Sequence, residues 1–234
     1  MNTQARDATQ AYHEELYSSK ILFQKDSSWL ETPKKEIISL VERNFLGKKN
    51  ITALDLGSGV GRNAIPIAQM IGKYGGRVRC VDYLHIAIDR LVEYTKKYHV
   101  RQFIDGVVSP IEDFFIQPDT YDFIIAHSVL SHVENKEKMI QVMKNMAQGI
   151  RKNGIVYIYL ITNTKEFDTK SGNEQKHQAE VDISFTKASS LLKSIFRGWK
   201  IQALRKEPYE ETFIRRSREI LWKVDYLLFV AKLV

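Results

Sequence analysis

The stretch ALDLGSGVGRNAIPIA, residues 53–68, decides the fold of this chain. A short apolar run is followed by glycines at 57, 59 and 61 and then by a segment with helical spacing. Glycine has no side chain and readily adopts positive φ, so such a turn lets the backbone approach a ligand closely. The pattern predicts a strand, a ligand-binding turn and a helix, in that order.

Strand-like and helix-like segments alternate along the rest of the chain. We predict strands at 51–56, 77–84, 101–109, the start of 121–133, 155–162, 199–204 and 224–234, and helices at 33–49, 62–73, 85–100, 136–154 and 186–196. This alternation predicts right-handed crossovers and a mostly parallel sheet with helices on both faces. Ligands bind such sheets at the carboxyl ends of the strands, where the glycine turn lies.

Composition restricts the compartment and the class of protein. The 234 residues are 44% hydrophobic and 27% charged, which predicts one globular domain with a real core. No apolar stretch approaches the roughly 20 residues that span a bilayer, and the first 25 residues lack a secretory signal. Cys80 is the only cysteine, and we expect it to be buried. We therefore predict a cytoplasmic protein with no membrane partner.

The charge of the chain permits an anionic partner without requiring one. Its net charge is +7, but the lysines are interleaved with acidic residues, which is typical of a solvated surface. The densest basic run is RRSR at 215–218. Nucleic acid is thus an unlikely partner that the sequence does not exclude.

The spacing of the glycines argues against two phosphate-centred ligands. A phosphate-binding loop needs Lys-Ser or Lys-Thr after its last glycine, and no such pair follows here. A dinucleotide fingerprint, G-x-G-x-x-G, needs its third glycine where this chain has Arg62, which leaves that glycine's helix-packing role unfilled.

Two carboxylates at strand ends point to a different ligand. Asp55 precedes Gly57 by two residues, and its charge would repel a pyrophosphate but attract an ammonium and a sulfonium. S-adenosylmethionine carries both cations, no phosphate, and a carboxylate that suits a helix N-terminus. Asp82 ends the second predicted strand, where a carboxylate can accept hydrogen bonds from both ribose hydroxyls.

Four segments resemble a known family in order and spacing. DLGSGVGRNAIPIA, VDYL, SPIEDFFIQPDTYDFIIAHSVLSHV and IRKNGIVYIYLIT look like successive motifs of class I S-adenosylmethionine-dependent methyltransferases, over about residues 35–162. The resemblance implies an α/β, Rossmann-like, seven-stranded and mostly parallel sheet with helices on both faces and an antiparallel last strand. GRNAIPIA and the C-terminal pattern are loosely similar to tellurite-resistance-type and other small-molecule methyltransferases.

The resemblance also implies a cofactor site. Many members have Asp where this chain has Ser109 or Pro110, so adenine recognition is expected from backbone groups or Glu112. The expected S-adenosylmethionine contacts are Asp55, Gly57, Ser58, Gly59, Gly61, Arg62, Asp82, Tyr83, Ile111, Glu112, His127 and Ser128, the last two lying beneath the sulfonium.

The methyl acceptor is less clearly marked. HSVLSHV lacks the Asn/Asp-Pro-Pro-Tyr/Phe motif of enzymes that methylate base amino groups, and Cys80 is misplaced for methylation at carbon. We predict a small-molecule acceptor; RNA or a protein or peptide N-terminus stays open, as does a non-catalytic binding protein. Tyr12, Tyr17 and His132 are expected to contact the acceptor.

Histidine side chains can act as general bases or as metal ligands. His127 and His132 are the nearest candidates for a general base, although His132 also suits a helix-start role. His13, His85, His99 and His177 have no partners spaced for metal ligation, so no metal is predicted.

We divide the chain into two parts. Residues 1–32 are expected to form a helical segment that caps the cofactor, and residues 33–234 the methyltransferase domain. Within that domain, the polar stretch 163–182 is expected to be either a lid or a disordered loop. The sequence does not predict an oligomeric state.

Overall fold

The structure is a computed structural model that describes residues 3–25, 28–177, 179–215 and 218–234. Its α-helices are α1 (Thr3–Ser19), α2 (Lys35–Asn44), α3 (Ala64–Ile71), α4 (His85–Lys97), α5 (Lys136–Gly149) and α6 (Phe185–Ile195). Its strands are β1 (Thr52–Leu56), β2 (Arg77–Asp82), β3 (Ile104–Val108), β4 (Tyr121–His127), β5 (Ile150–Asp168), β6 (Glu174–Gln175), β7 (Lys200–Arg215) and β8 (Arg218–Lys232).

One sheet organises these elements in the order β3-β2-β1-β4-β5-β8-β7, with β6 paired to β5. Strands β1 to β5 pair in parallel, and β8 is antiparallel to both of its neighbours. This confirms the predicted α/β sheet with an antiparallel last strand. The order reverses between β1 and β4, so a crevice forms at the carboxyl ends of these two strands.

The helices cover both faces of the sheet. On one face, α2, α3 and α4 pack around residues such as Val41, Ile65 and Leu91. On the other, α5 and α6 pack around residues such as Met143 and Leu192. The second to fifth residues of β1 are all buried. Because side chains alternate between the two faces along a strand, the Asp55 side chain lies on the face that α2, α3 and α4 cover.

Two predicted boundaries after β4 are wrong. Helix α5 ends at Gly149, and the predicted stop at Asn153 and Gly154 lies inside β5 instead. Asn153 has φ 68°, and the pairing of β4 with β5 shifts register near this point. The turn signal in the sequence therefore marks an irregularity in a strand rather than the end of a helix.

The polar stretch 163–182 is not a loop throughout, which corrects the expectation for its first part. Residues 163–168 continue β5, and 165–168 pair with β8. Strands β5, β7 and β8 thus extend beyond the parallel part of the sheet on the side of the crevice. The outer part of β5 is polar because it leaves the hydrophobic core. In this outer part, Arg215 forms a two-pronged contact with the buried carboxylate of Glu166.

Among the described helices, none has the length and apolar character that crossing a bilayer requires.

Candidate active site

The glycine turn needs glycine at all three positions. Gly57, Gly59 and Gly61 have φ values of 67°, 52° and 92°, which other residues rarely adopt. A Cβ on Gly57 would lie 2.4 Å from the Val129 side chain, and one on Gly61 would lie 2.4 Å from Leu91. Gly61 therefore permits close packing of α4 against the turn. The sequence predicts that the helix-packing role of a third glycine is unfilled, because Arg62 stands at that position. The structure shows that this prediction is wrong, since Gly61, one residue earlier, fills the role.

Asp82 holds the turn in place from the neighbouring strand. Its Oδ2 accepts a hydrogen bond from the Gly59 amide at 2.9 Å, and its Oδ1 accepts one from the Leu84 amide at 3.0 Å. Each carboxylate oxygen can accept a second hydrogen bond, so the side chain retains capacity for ribose hydroxyls. The same residue thus shapes the turn and remains available for the predicted contact.

Asp55 is buried and Arg62 is half-buried beside the turn. Asp55 is 2% exposed, and its Oδ2 has no hydrogen-bond partner within the described part of the chain. Burial raises the pKa of Asp55 to about 7, although Arg62 opposes the shift. Arg62 donates from Nη1 to the Trp29 carbonyl at 2.8 Å, while its Nε is buried without a described partner. Buried polar atoms usually have partners, so this pair fits the ammonium and carboxylate of an amino acid.

Helix α1 lies along the crevice. Arg6 pairs with Glu112 at 3.5 Å, and its guanidinium lies 5.3 Å from the centre of the Tyr83 ring. Farther along α1, the His13 ring stacks on Tyr17 with a centroid distance of 5.6 Å. These contacts agree with a covering role for the N-terminal segment, whose boundary at residue 32 stays a prediction.

Three predicted contacts differ from expectation in detail. Tyr17 is buried, with its hydroxyl packed against Gly59, so it faces the donor side of the crevice rather than the acceptor. Ser58 directs its side chain toward Cys80, so it can line the site only with its backbone. Ile111 is 5% exposed and packs in the core beside the adenine position.

The end of β4 carries a buried imidazole. His127 Nδ1 lies 3.3 Å from the Tyr157 hydroxyl, and its ring stacks on Tyr159 at 4.8 Å. Burial, followed by the charges of Arg62 and Lys34, lowers the pKa of His127 well below its usual value. This imidazole is therefore neutral. The next residue, Ser128, has φ 57°, which turns the chain sharply at the predicted position of the sulfonium.

Sequence reasoning named His132 as a candidate base but missed its partner, Glu180. His132 Nδ1 lies 3.2 Å from Glu180 Oε2, and the Glu180 side chain is 7% exposed. Its Oε1 has no hydrogen-bond partner among the residues described. The segment is fixed by a hydrogen bond from the Val181 amide to the Ser131 carbonyl at 3.1 Å. The only signal in the sequence was an acidic residue beside an apolar one inside the polar stretch.

His13 on α1 completes this cluster. Its ring centre lies 6.5 Å from that of His132. Burial lowers the pKa of His13 to about 4, and the neighbouring His132 acts in the same direction. His13 is therefore neutral at physiological pH and lies beside the His132–Glu180 pair.

Comparison with known proteins agrees with this site. The family described as AdoMet dependent proline di-methyltransferase matches residues 27–216. The arsenite methyltransferase of Rattus norvegicus is 26% identical over 118 residues, 47% of this chain and 31% of that protein. The ubiquinone biosynthesis O-methyltransferase of Rickettsia canadensis is 31% identical over 130 residues, 56% of this chain and 51% of that protein. The chain thus aligns with about a third to a half of these relatives.

A solved structure shares the fold. TehB from Haemophilus influenzae superposes with a TM-score of 0.64 and 19% identity, over 86% of this chain and 62% of that one. The predicted resemblance to class I methyltransferases and the predicted cofactor are confirmed by these matches. The family match extends over most of the chain and includes the glycine turn, Asp55 and Asp82. The chain therefore belongs to the family described as AdoMet dependent proline di-methyltransferase.

Proposed function

We propose that this methyltransferase acts on an amine nitrogen of a small molecule. The observation that supports this is the pairing of His132 with Glu180, close to His13. An amine is largely protonated at neutral pH and must lose its proton before its lone pair can attack a methyl group. A histidine paired with a carboxylate is a suitable acceptor for that proton.

Different residues around the crevice would bind the methyl donor and accept the proton of the amine. Asp55 and Arg62 would hold the amino-acid end of the donor, and Asp82 and Glu112 the adenosine. When bound, S-adenosylmethionine supplies a methyl group activated by its sulfonium. The nitrogen lone pair forms the new N–C bond as the S–C bond breaks, and the electron pair of that bond stays on sulfur. The amine proton passes to the His132–Glu180 pair, and α1 helps to exclude water.

Two observations support a small acceptor. The curated relatives described above are named for arsenite and for ubiquinone biosynthesis, both of which involve small molecules. In addition, α1 contacts the crevice near both of its ends, through Arg6, which pairs with Glu112, and through Tyr17, whose hydroxyl packs against Gly59.

A peptide that begins with proline is the second candidate. The family match favours it, because that family is described by methylation of proline. Its terminal nitrogen is also an amine, so the same base would serve. RNA has less support, since Arg215 of the basic run is paired with Glu166.

Product analysis with labelled S-adenosylmethionine tests this proposal. The acceptors should include alkylamines, catechols, thiols, arsenite, a peptide beginning with proline, and the same peptide acetylated at its N-terminus. We expect methylated amines, and no product from the acetylated peptide. Methylation confined to oxygen, sulfur or arsenic acceptors would refute the proposal, and turnover of the free peptide without any small amine would favour the second candidate.

A further inference from the structure

We propose that an aromatic cleft next to Ser128 binds a fixed cationic group of the acceptor, of the alkylammonium type. The aromatic cleft comprises Tyr12, Trp29, Tyr209 and Tyr226, with the carboxylate of Glu211 at its edge. This inference rests on the proposed amine methylation and deepens it. It requires an acceptor that carries a second ammonium group in addition to the nitrogen that is methylated.

The floor of the cleft is a row of stacked rings on one face of the sheet. His127 stacks on Tyr159 at 4.8 Å, and Tyr159 stacks on Tyr226 at 4.5 Å. Tyr209 then meets Tyr226 edge-on at 5.7 Å. Tyr226 also lies near the Ser128 side chain, so the row leads from the predicted sulfonium position to the β7–β8 hairpin.

The walls come from two separate parts of the chain. Tyr12 on α1 lies near Trp29, whose ring lies 6.1 Å from that of His13. Tyr209 on β7 forms the opposite wall. The pKa of Tyr226 is raised by burial and then by Tyr209, Glu211 and Tyr12, so both walls lie within electrostatic reach of the floor.

The exposure of these rings is unusual for this protein. Tyr12, Tyr209 and Trp29 are 54%, 44% and 38% exposed, and Phe115 is the other large aromatic side chain that the described surface leaves open to this extent. Clustered exposed aromatic surface is a common mark of a binding site. The face of an aromatic ring attracts cations, and alkylammonium ligands are bound in this way.

The charges around the cleft favour a cation. Glu211 accepts a hydrogen bond from the Tyr209 hydroxyl at 3.1 Å and forms no ion pair with any residue that the structure describes. Its neighbours differ, because Glu207 pairs with Arg205 at 2.7 Å and Glu210 with Lys223 at 3.1 Å. Glu211 is therefore the carboxylate that a bound cation could neutralise.

The protein already places its own cations on adjacent rings. Lys34 Nζ lies 4.4 Å from the centre of Tyr159, and the Arg62 guanidinium lies 4.9 Å from that of Trp29. No such cation covers Tyr12, Tyr209 or Tyr226 within the described ranges. These three rings, together with Glu211, are the surfaces left for a ligand.

Calorimetry with a non-reacting probe tests the cleft without turnover. Choline and its neutral isostere 3,3-dimethylbutan-1-ol should be titrated into protein saturated with S-adenosylhomocysteine. We expect choline to bind about tenfold more tightly, because the two probes differ chiefly in charge. Equal binding of the two probes, or no binding of choline, would overturn the inference.

Four variants make the result specific. Glu211→Gln and Tyr209→Ala should each weaken choline binding about three- to thirtyfold, the range expected for losing one cation contact. Tyr209→Phe keeps the ring and should bind as wild type does, which separates the ring from a folding defect. Glu210→Gln removes the same charge from the adjacent residue and should change nothing; an equal loss in Glu210→Gln would refute the assignment.

The outcomes also separate this inference from the proposed function. If amines are methylated but choline is not bound, the proposed function stands and the cleft is refuted. If choline binds through Glu211 but no amine is methylated, the cleft stands and the proposed function is refuted.

Discussion

Asp55 should make the ligand-free protein lose stability as pH rises. Its folded pKa is about 7, against 3.8 for an ordinary aspartate, so the folded state retains a proton that the unfolded state releases. Stability is therefore highest below the unfolded pKa, falls as pH rises from about 4 to about 7, and is then constant. The full difference amounts to about 4 kcal/mol.

Asp55→Asn removes this titration at nearly constant volume. At pH 8 we expect the ligand-free variant to be about 4 kcal/mol more stable than wild type, or roughly 10 °C higher in melting temperature. At pH 4 the two proteins should melt together. Ligand binding should change in the opposite direction, because the variant loses a charged partner for the ammonium, and affinity for S-adenosylhomocysteine should fall by about 1.5–3 kcal/mol.

Scanning calorimetry from pH 4 to 8, with and without S-adenosylhomocysteine, measures both effects. Asp105→Asn is the matched control, because Asp105 is an exposed aspartate of β3, paired with Arg79 at the surface, and should matter by less than about 1 kcal/mol. A ligand-free Asp55→Asn protein that is less stable than wild type at pH 8 would refute the assignment. Unchanged affinity for the ligand would refute it equally.

The remaining predictions concern the turn, the base and the sheet extension. Gly61→Ala should destabilise the protein by about 2 kcal/mol or more in urea unfolding, because φ is 92° and the new Cβ would meet Leu91 at 2.4 Å; Gly172→Ala, with φ 71° and open space around it, should cost only about 1 kcal/mol. Glu180→Gln should lower kcat at least tenfold with little change in donor affinity, and a parallel loss of donor binding in calorimetry would contradict its role as the partner of the His132 base. Arg215→Ala removes the two-pronged partner of the 4% exposed Glu166 carboxylate and should cost about 3 kcal/mol at pH 7; an unfolding midpoint equal to wild type would show that the pair is not structural.

The donor side of the site could be predicted from sequence because it is local. Asp55, the three glycines and Asp82 lie at the ends of adjacent strands, and strand order follows from alternating strands and helices. Periodicity and turn residues encode such features directly.

The acceptor side could be predicted only in part: Tyr12 and His132 were expected there, but their partners depend on contacts between distant segments. His132 and Glu180 are 48 residues apart, and their pairing depends on the Val181 amide reaching the Ser131 carbonyl. The aromatic cleft likewise combines α1 with β7 and β8. The polar composition of 163–182 suggested a loop because the pattern does not reveal that a strand can extend beyond the core.

A crystal structure of the complex with S-adenosylhomocysteine tests the central claim most directly. The account predicts that the ligand's ammonium lies within hydrogen-bond distance of Asp55 Oδ2, its carboxylate near Arg62, and its ribose hydroxyls on Asp82, with sulfur facing Ser128. A ligand bound away from the glycine turn, or one whose ammonium avoids Asp55, would contradict it.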